Sequence, residues 1–278
     1  MFSYNFFVIK TTVFCMKKIL EIVCTHKTYP MPEDEMYLPL FVGSEGKEGI
    51  GFECDNTGDN ISVKNAYYSE LTGLYWAWKN LDAEYIGLAH YRRHFTLANR
   101  IPKETSDKFK IVLSREEAER ILDRTDVILP KKRNYYIENL YDHYAHTLHV
   151  EPLDITGQII KDRYPEYYSE FERLHKRTSA HMFNMFIMKK ELLDRYCTWL
   201  FDILFELEKR VDITQYDSFH ARFFGRVSEL LLDVWINTNN ISYEEVRVMD
   251  MEDVNWFKKG TSFLMAKFTG KKYDKSFD

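Results

Sequence analysis

The sequence predicts an α/β fold in which a mixed, mostly parallel sheet is flanked by helices. Short apolar runs rich in β-branched residues read as buried strands. Segments with apolar residues at three- and four-residue spacing read as amphipathic helices, and the two kinds alternate along the chain. That alternation argues against a helical bundle or an all-β sandwich.

Ile19–Thr25 (ILEIVCT) is expected to be a buried strand that opens into the polar turn Thr25-His26-Lys27, and Leu38–Val42 a second strand. The loop Asp55–Ser62 (DNTGDNIS) is dense in turn-forming residues and ends in groups suited to cap a helix. The helix that follows is expected from about Asn65 to Asn80, because Tyr68, Leu71, Leu74, Tyr75 and Trp78 share one face. Tyr85–Ala89 is a further strand and runs directly into His90-Tyr91-Arg92-Arg93-His94. Val127–Leu129 forms another, stopped by Pro130 before Lys131-Lys132-Arg133. A mostly helical middle from Tyr141 to Leu174 precedes the strand Met182–Met188 and a long helix over 190–210. Phe219–Ile236 is expected to be the last helix and Tyr243–Met249 the closing strand.

Neither a repeat nor a Pro/Gly/Ser linker divides the 278 residues, so one domain is expected over 16–278, preceded by an extension, 1–15. That extension is apolar and aromatic, but Asn5 and Lys10 interrupt it and it is shorter than the ~20 residues a bilayer span requires. It reads as an upstream start or a small extra element rather than a signal or anchor. With 38 Lys and Arg against 43 Asp and Glu, the net charge of -5 argues against binding nucleic acid through phosphate neutralisation. Cys15, Cys24, Cys54 and Cys197 lack zinc-site spacing and read as reduced thiols of a cytoplasmic protein. Walker, G-x-G-x-x-G, G-x-S-x-G and H-E-x-x-H motifs are all absent, which disfavours the corresponding ATPases, dehydrogenases, hydrolases and zincins.

Four constellations could carry chemistry. Arg92 and Arg93, between His90, Tyr91 and His94 at a strand end, suit a diphosphate, which guanidinium forks bind bidentately; the alternative is a basic surface turn. Asp55, Asp59 and Asn60 around Gly58 suit ribose, sugar or metal contacts, or only a well-capped turn. His143, His146 and His149 beside Asp142 could face a metal, although their spacing favours a polar helix face. Arg222, Ser228 and Glu229 share a helix with an aromatic stripe, where Glu229 is either an acid or base or half of a salt bridge.

The stretches DNTGDNIS (Asp55–Ser62), ELTGLYWAWKN (Glu70–Asn80), YIGLAHYRRHF (Tyr85–Phe95) and NMFIMKKELLDRYCTWL (Asn184–Leu200) together resemble a bacterial family. It was first catalogued as a domain of unknown function and is found among capsular and exopolysaccharide biosynthesis proteins. The resemblance implies a glycosyltransferase-like, type-A nucleotide-sugar fold. It places Thr25, His26 and Lys27 near the nucleotide base, and His90-Tyr91-Arg92 where many such enzymes carry Asp-x-Asp. It also puts Phe183-Asn184 at the strand lining the sugar pocket. Because arginines supply positive charge themselves, a divalent cation (Mn or Mg) is expected either to be dispensable or to bind through Asp55, Asp59 or His90. Where the family's Ser-Glu-Arg is expected, this chain has Ser228-Glu229-Leu230; if that arginine holds a phosphate in relatives, either Arg226 replaces it or activity is altered.

The expected reaction is hexosyl transfer from a nucleotide sugar, uridine-linked by the resemblance, to a glycan acceptor in capsule, exopolysaccharide or O-antigen assembly. Arg92, Arg93 and Arg222 would hold the donor, and Asn184, at the start of the strand lining the sugar pocket, is a candidate catalytic residue with Glu229 and Asp217. An inverting enzyme would need Glu229 or Asp217 as base, whereas a retaining one would not. The acceptor is expected to be an oligosaccharide or lipid-linked. Transient contact with the inner membrane face would then be assisted by Lys131-Lys132-Arg133. The alternative reading is a non-catalytic carbohydrate-binding or scaffold protein of the same pathway; a metal-dependent phosphatase is a third.

Overall fold

The computed structural model describes residues 18–252. The expected extension 1–15 lies outside the described residues. Among the described residues, ten strands and nine α-helices follow one another as β1 (Ile19–Thr25), β2 (Tyr37–Phe41), β3 (Glu53–Cys54), α1 (Asn65–Tyr68), α2 (Leu71–Asn80), β4 (Tyr85–His90), β5 (Arg93–Thr96), α3 (Thr105–Phe109), α4 (Arg115–Leu122), β6 (Val127–Pro130), β7 (Arg133–Asn134), α5 (Leu140–Thr147), α6 (Glu151–Arg163), α7 (Pro165–His175), β8 (Ser179–Ala180), β9 (Phe186–Lys189), α8 (Lys190–Arg210), α9 (Phe223–Thr238) and β10 (Glu244–Asp250).

The main sheet runs β3-β2-β1-β4-β9-β6-β10, with β5 spanning from the end of β4 to β10. It is mixed, and the expectation of a mostly parallel sheet is not met. β2–β3, β1–β2, β1–β4 and β6–β10 pair in parallel, whereas β4–β5, β4–β9, β6–β9 and β5–β10 pair antiparallel. The reason is that β9 enters between β4 and β6 in the opposite sense, and short apolar runs do not encode direction. Since β4 and β6 both oppose β9, they point the same way. The carboxyl ends of β1, β4, β6 and β10 therefore share one edge of the sheet.

Each face of the sheet has its own core. Alternation along β1 sends Ile22 and Cys24 into the larger one, with α2 and α6 to α9, and Ile19 and Val23 into the smaller one, under α4. Ser114 starts α4 with a full capping box closed by Glu117. Glu21 falls on the smaller core's face of β1, wholly buried, with no partner for either carboxylate oxygen. Its neighbour across the ladder is Gly87, where a Cβ would lie 2.9 Å from Glu21 Cγ.

The single helix expected over Asn65–Asn80 is broken. Ser69 takes a left-handed φ of 52°, which ends α1 before α2 starts. The expected strand Met182–Met188 shortens to Phe186–Lys189 because Phe183 and Asn184 both adopt positive φ, 78° and 53°. Both departures occur at the sheet edge just described. Among the described residues, no helix is long and apolar enough to cross a membrane.

Candidate functional site

At that edge a cleft of about 530 Å³ opens. Thr25 and His26 reach it from the end of β1, and His90, Tyr91, Arg92 and Arg93 from the β4–β5 turn. Asn65, Ser69 and Glu70 come from the α1–α2 break, Phe183 from the segment before β9, and Arg222, Gly225, Arg226 and Glu229 from the start of α9. Open α/β sheets place ligands here, because loops leaving the strands diverge and leave a crevice.

The two backbone irregularities build the walls. At Ser69 the chain turns so that its hydroxyl accepts a hydrogen bond from Arg222 Nε at 2.8 Å, while Asn65 Nδ2 donates to the Ser69 carbonyl at 2.7 Å. Positive φ is tolerable for Asn184 but unfavourable for Phe183, and such conformations persist only when neighbours enforce them. Here they do. Asn184 Nδ2 donates to Glu70 Oε1 at 2.7 Å and to the Gly225 carbonyl at 2.9 Å, joining three separate elements. The Phe183 carbonyl lies 2.8 Å from His90 Nε2, which must carry the proton because a carbonyl can only accept.

The cleft is electropositive at its mouth. Burial, and then the nearby charges of Lys27, Arg92, Arg222 and Lys47, hold the His26 imidazole below its usual pKa. Arg226 is likewise lowered, chiefly by burial. Arg92 approaches Glu252 at 3.6 Å and Arg93 bonds Asp250 at 3.1 Å, both acids lying at or just after the end of β10. Aromatic rings orient the guanidinium planes. Arg93 lies 4.7 Å from the Phe183 ring centroid and Arg226 4.0 Å from that of Phe219. Tyr91 packs edge-on against Tyr29 at 4.9 Å, with the Lys27 ammonium 5.3 Å from its ring.

Among these cations sits Glu229. Burial and the neighbouring Glu70 carboxylate push its pKa up to about 7, while Arg93, Arg133 and a hydrogen bond from the Phe183 backbone oppose the rise. A carboxyl poised near neutrality in a cleft can take or give a proton at working pH.

The structure thus brings Thr25, His26, His90, Tyr91, Arg92, Arg93, Arg222 and Glu229 to one cleft, with Lys27 beside Tyr91. Asn184 stands behind it and acts on the cleft through Glu70. Asp55, Asp59, Asn60 and Asp217 do not line it. Asp55 is fully buried, accepting from Gly43 N, Ser44 N, Ser44 Oγ, Ser62 Oγ and Thr72 Oγ1, so no lone pair is left for a sugar or metal. Asp59 accepts from the Tyr75 hydroxyl, and the Asn60 side chain caps Ser62. Asp217 caps a turn through Phe219 N, His220 N and His220 Nδ1, which lower its pKa to about 2. The donor set proposed for a divalent cation therefore does not fit, since Asp55 is saturated and His90 Nε2 donates to a carbonyl. Among the described residues, no group of three or more His, Cys, Asp or Glu converges as metal ligands. His143 and His146 flank Glu138 instead, at 3.8 and 2.9 Å, and His149 packs on His220.

Glu70 is the residue that sequence reasoning overlooked. Inside an apparently continuous helix it looks like one more solvated acid, and only the turn at Ser69 sends it into the cleft.

A family model described as a domain of unknown function, DUF4422, matches residues 18–240, and the chain belongs to that family. Among solved structures, the apo structure of the bifunctional glycosyltransferase WbbM is similar, with a TM-score of 0.78 and 29% sequence identity. The match covers 85% of this chain and 46% of that one, so the chain spans about half the length of this relative. No curated protein sequence matches it.

Proposed function

We propose that this member of DUF4422 is a glycosyltransferase that moves a hexosyl group from a nucleotide sugar, uridine-linked in the first instance, to a hydroxyl of a glycan in surface polysaccharide assembly. The likeness to a glycosyltransferase supports the reaction class. The observation that carries the reading is the joining of arginine side chains and one near-neutral carboxyl in a single cleft. Cations held by a protein frame stabilise charge as it develops on a departing diphosphate, without reorganisation cost at the moment of reaction.

In this account Tyr91, Tyr29 and Lys27 receive the base, and Arg92, Arg93, Arg222 and Arg226 face the diphosphate. The acceptor hydroxyl loses its proton to Glu229 as its oxygen bonds the anomeric carbon. The bond from that carbon to the phosphate oxygen breaks, and the electron pair leaves with the diphosphate. This is an inverting displacement with Glu229 as base rather than Asp217, which is committed to its turn. The arginines supply the positive charge, and no step is routed through a metal.

The test is a panel of uridine, guanosine and thymidine diphosphate sugars incubated with the protein and oligosaccharide acceptors, following released nucleoside diphosphate and transferred sugar. Turnover of one donor supports the assignment. Glycan binding with no nucleotide turnover or binding would replace it with the carbohydrate-binding reading.

A further inference from the structure

Positions 225, 229 and 233 of α9 are four residues apart, so they share one face of the helix. The segment His181 to Asn184 runs antiparallel to that face and meets all three. His181 N donates to Asp233 Oδ2 at 2.9 Å, the Phe183 backbone N–H donates to the Glu229 carboxyl, and Asn184 Nδ2 donates to the Gly225 carbonyl. The last two rungs flank the left-handed residues Phe183 and Asn184, whose conformation persists only while neighbours impose it. The first rung is the anchor at the other end. His181 is wholly buried, its Nδ1 on Asp233 Oδ1 and its Nε2 3.0 Å from Glu245 Oε1 of β10. The Tyr243 ring covers the imidazole edge-on at 5.0 Å, and Lys132 lies 4.0 Å from Glu245. A buried polar network with every member engaged is rigid, so α9, β10 and residue 181 are fixed to one another.

We propose that His181, clamped between Asp233 and Glu245, is a positioning residue for Glu229: it pins the segment against α9 so that the Phe183 N–H stays on the Glu229 carboxylate. A hydrogen bond to the ionised carboxyl favours that form, which is the form a general base needs. It acts with Arg93 and Arg133 against burial and Glu70, while Arg226 and the Tyr144 hydroxyl are further titratable groups near Glu229. The clamp lies outside the residues lining the cleft, so it reaches the chemistry only through Glu229. Its purpose rests on the reading of Glu229 as the base, but its effect on the carboxyl can be measured without any donor.

The experiment compares His181→Ala, His181→Asn and Glu245→Ala in the full chain. In thermal melts from pH 5 to 9, the stability gained by adding Glu229→Gln should level off near pH 7 in the wild-type background. With His181→Ala it should level off about one pH unit higher. Turnover should follow: the acid limb of kcat moves up by the same unit, so kcat falls roughly fivefold at pH 7 and less than about twofold at pH 9, with donor KM unchanged. His181→Asn, whose amide N–H stands where Nδ1 did, should restore most of the wild-type behaviour. Glu245→Ala removes the partly exposed partner without emptying the core, and should move both readouts the same way by about half a unit, which keeps the test open if His181→Ala does not fold. A levelling point that stays near pH 7 in the variants, or a kcat lowered by one factor at every pH, overturns the proposal. A shifted levelling point in a protein that turns over no donor supports the clamp and overturns the glycosyltransferase reading instead.

Discussion

Replacing Glu229 with Gln should cost the protein its turnover and raise its stability. The carboxyl's pKa is about 7 against an ordinary 4.5, a rise produced by burial and by Glu70. Folding therefore works against the ionised form by on the order of 3 kcal/mol. The sign follows from proton binding. Between pH 4.5 and 7 the folded chain holds a proton at this site that the unfolded chain has released, so stability falls as pH rises through that window and stays low above it. A glutamine carries no such penalty. Glu229→Gln should thus match the wild type below pH 4.5 and exceed it at pH 8, by up to roughly 3 kcal/mol or about 5–10 °C in Tm. If Glu229 is the base, wild-type kcat should rise with pH through about 7 and the variant should lose roughly 10²–10⁴ of it, with donor binding kept. Thermal melts at pH 4, 6 and 8, paired with donor binding and turnover, make the check. A variant less stable than the wild type at pH 8 would refute the burial argument, and one that keeps its turnover would refute the role.

Glu70→Gln removes the like charge beside Glu229 and should move the acid limb of the activity profile to lower pH; an unmoved limb would mean that the two carboxyls do not interact. At Glu21, where burial pushes the pKa up to about 8, stability should fall as pH rises from 4.5 to 8. Glu21→Gln should be more stable by roughly 4 kcal/mol at pH 9, and equal midpoints there in urea melts would contradict this. Asp55→Ala leaves five buried donors without their acceptor and should lower stability by about 3 kcal/mol or more. Loss of donor binding at unchanged stability would return Asp55 to the donor site.

Much of the frame is legible in the residues, because burial of apolar faces dictates both the period and the length of an element. The long helix over 190–210 and the strands at Ile19–Thr25 and Tyr85–Ala89 emerge almost as expected. Polar groups leaving a buried strand also pointed to the His90 to Arg93 turn as a site. Strand direction was not legible, since β9 carries the same apolar composition whichever way it runs. Positive φ at Ser69 and Phe183 was equally hidden, because neither residue prefers it and long-range contacts impose it. Those two positions turn Glu70 and the Phe183 backbone into the cleft. Asp55 illustrates the converse: an acid in a turn-rich loop looks available until the geometry shows five donors already on it.

The central claim is that arginines in the cleft hold a nucleoside diphosphate. Calorimetric titration of uridine diphosphate, with manganese and with a chelator, on the wild type, Arg92→Ala and Arg222→Ala tests it most directly. The account predicts binding that survives chelation and weakens about tenfold in either variant. Binding that vanishes with the metal, or no binding of any nucleoside diphosphate under either condition, would contradict it.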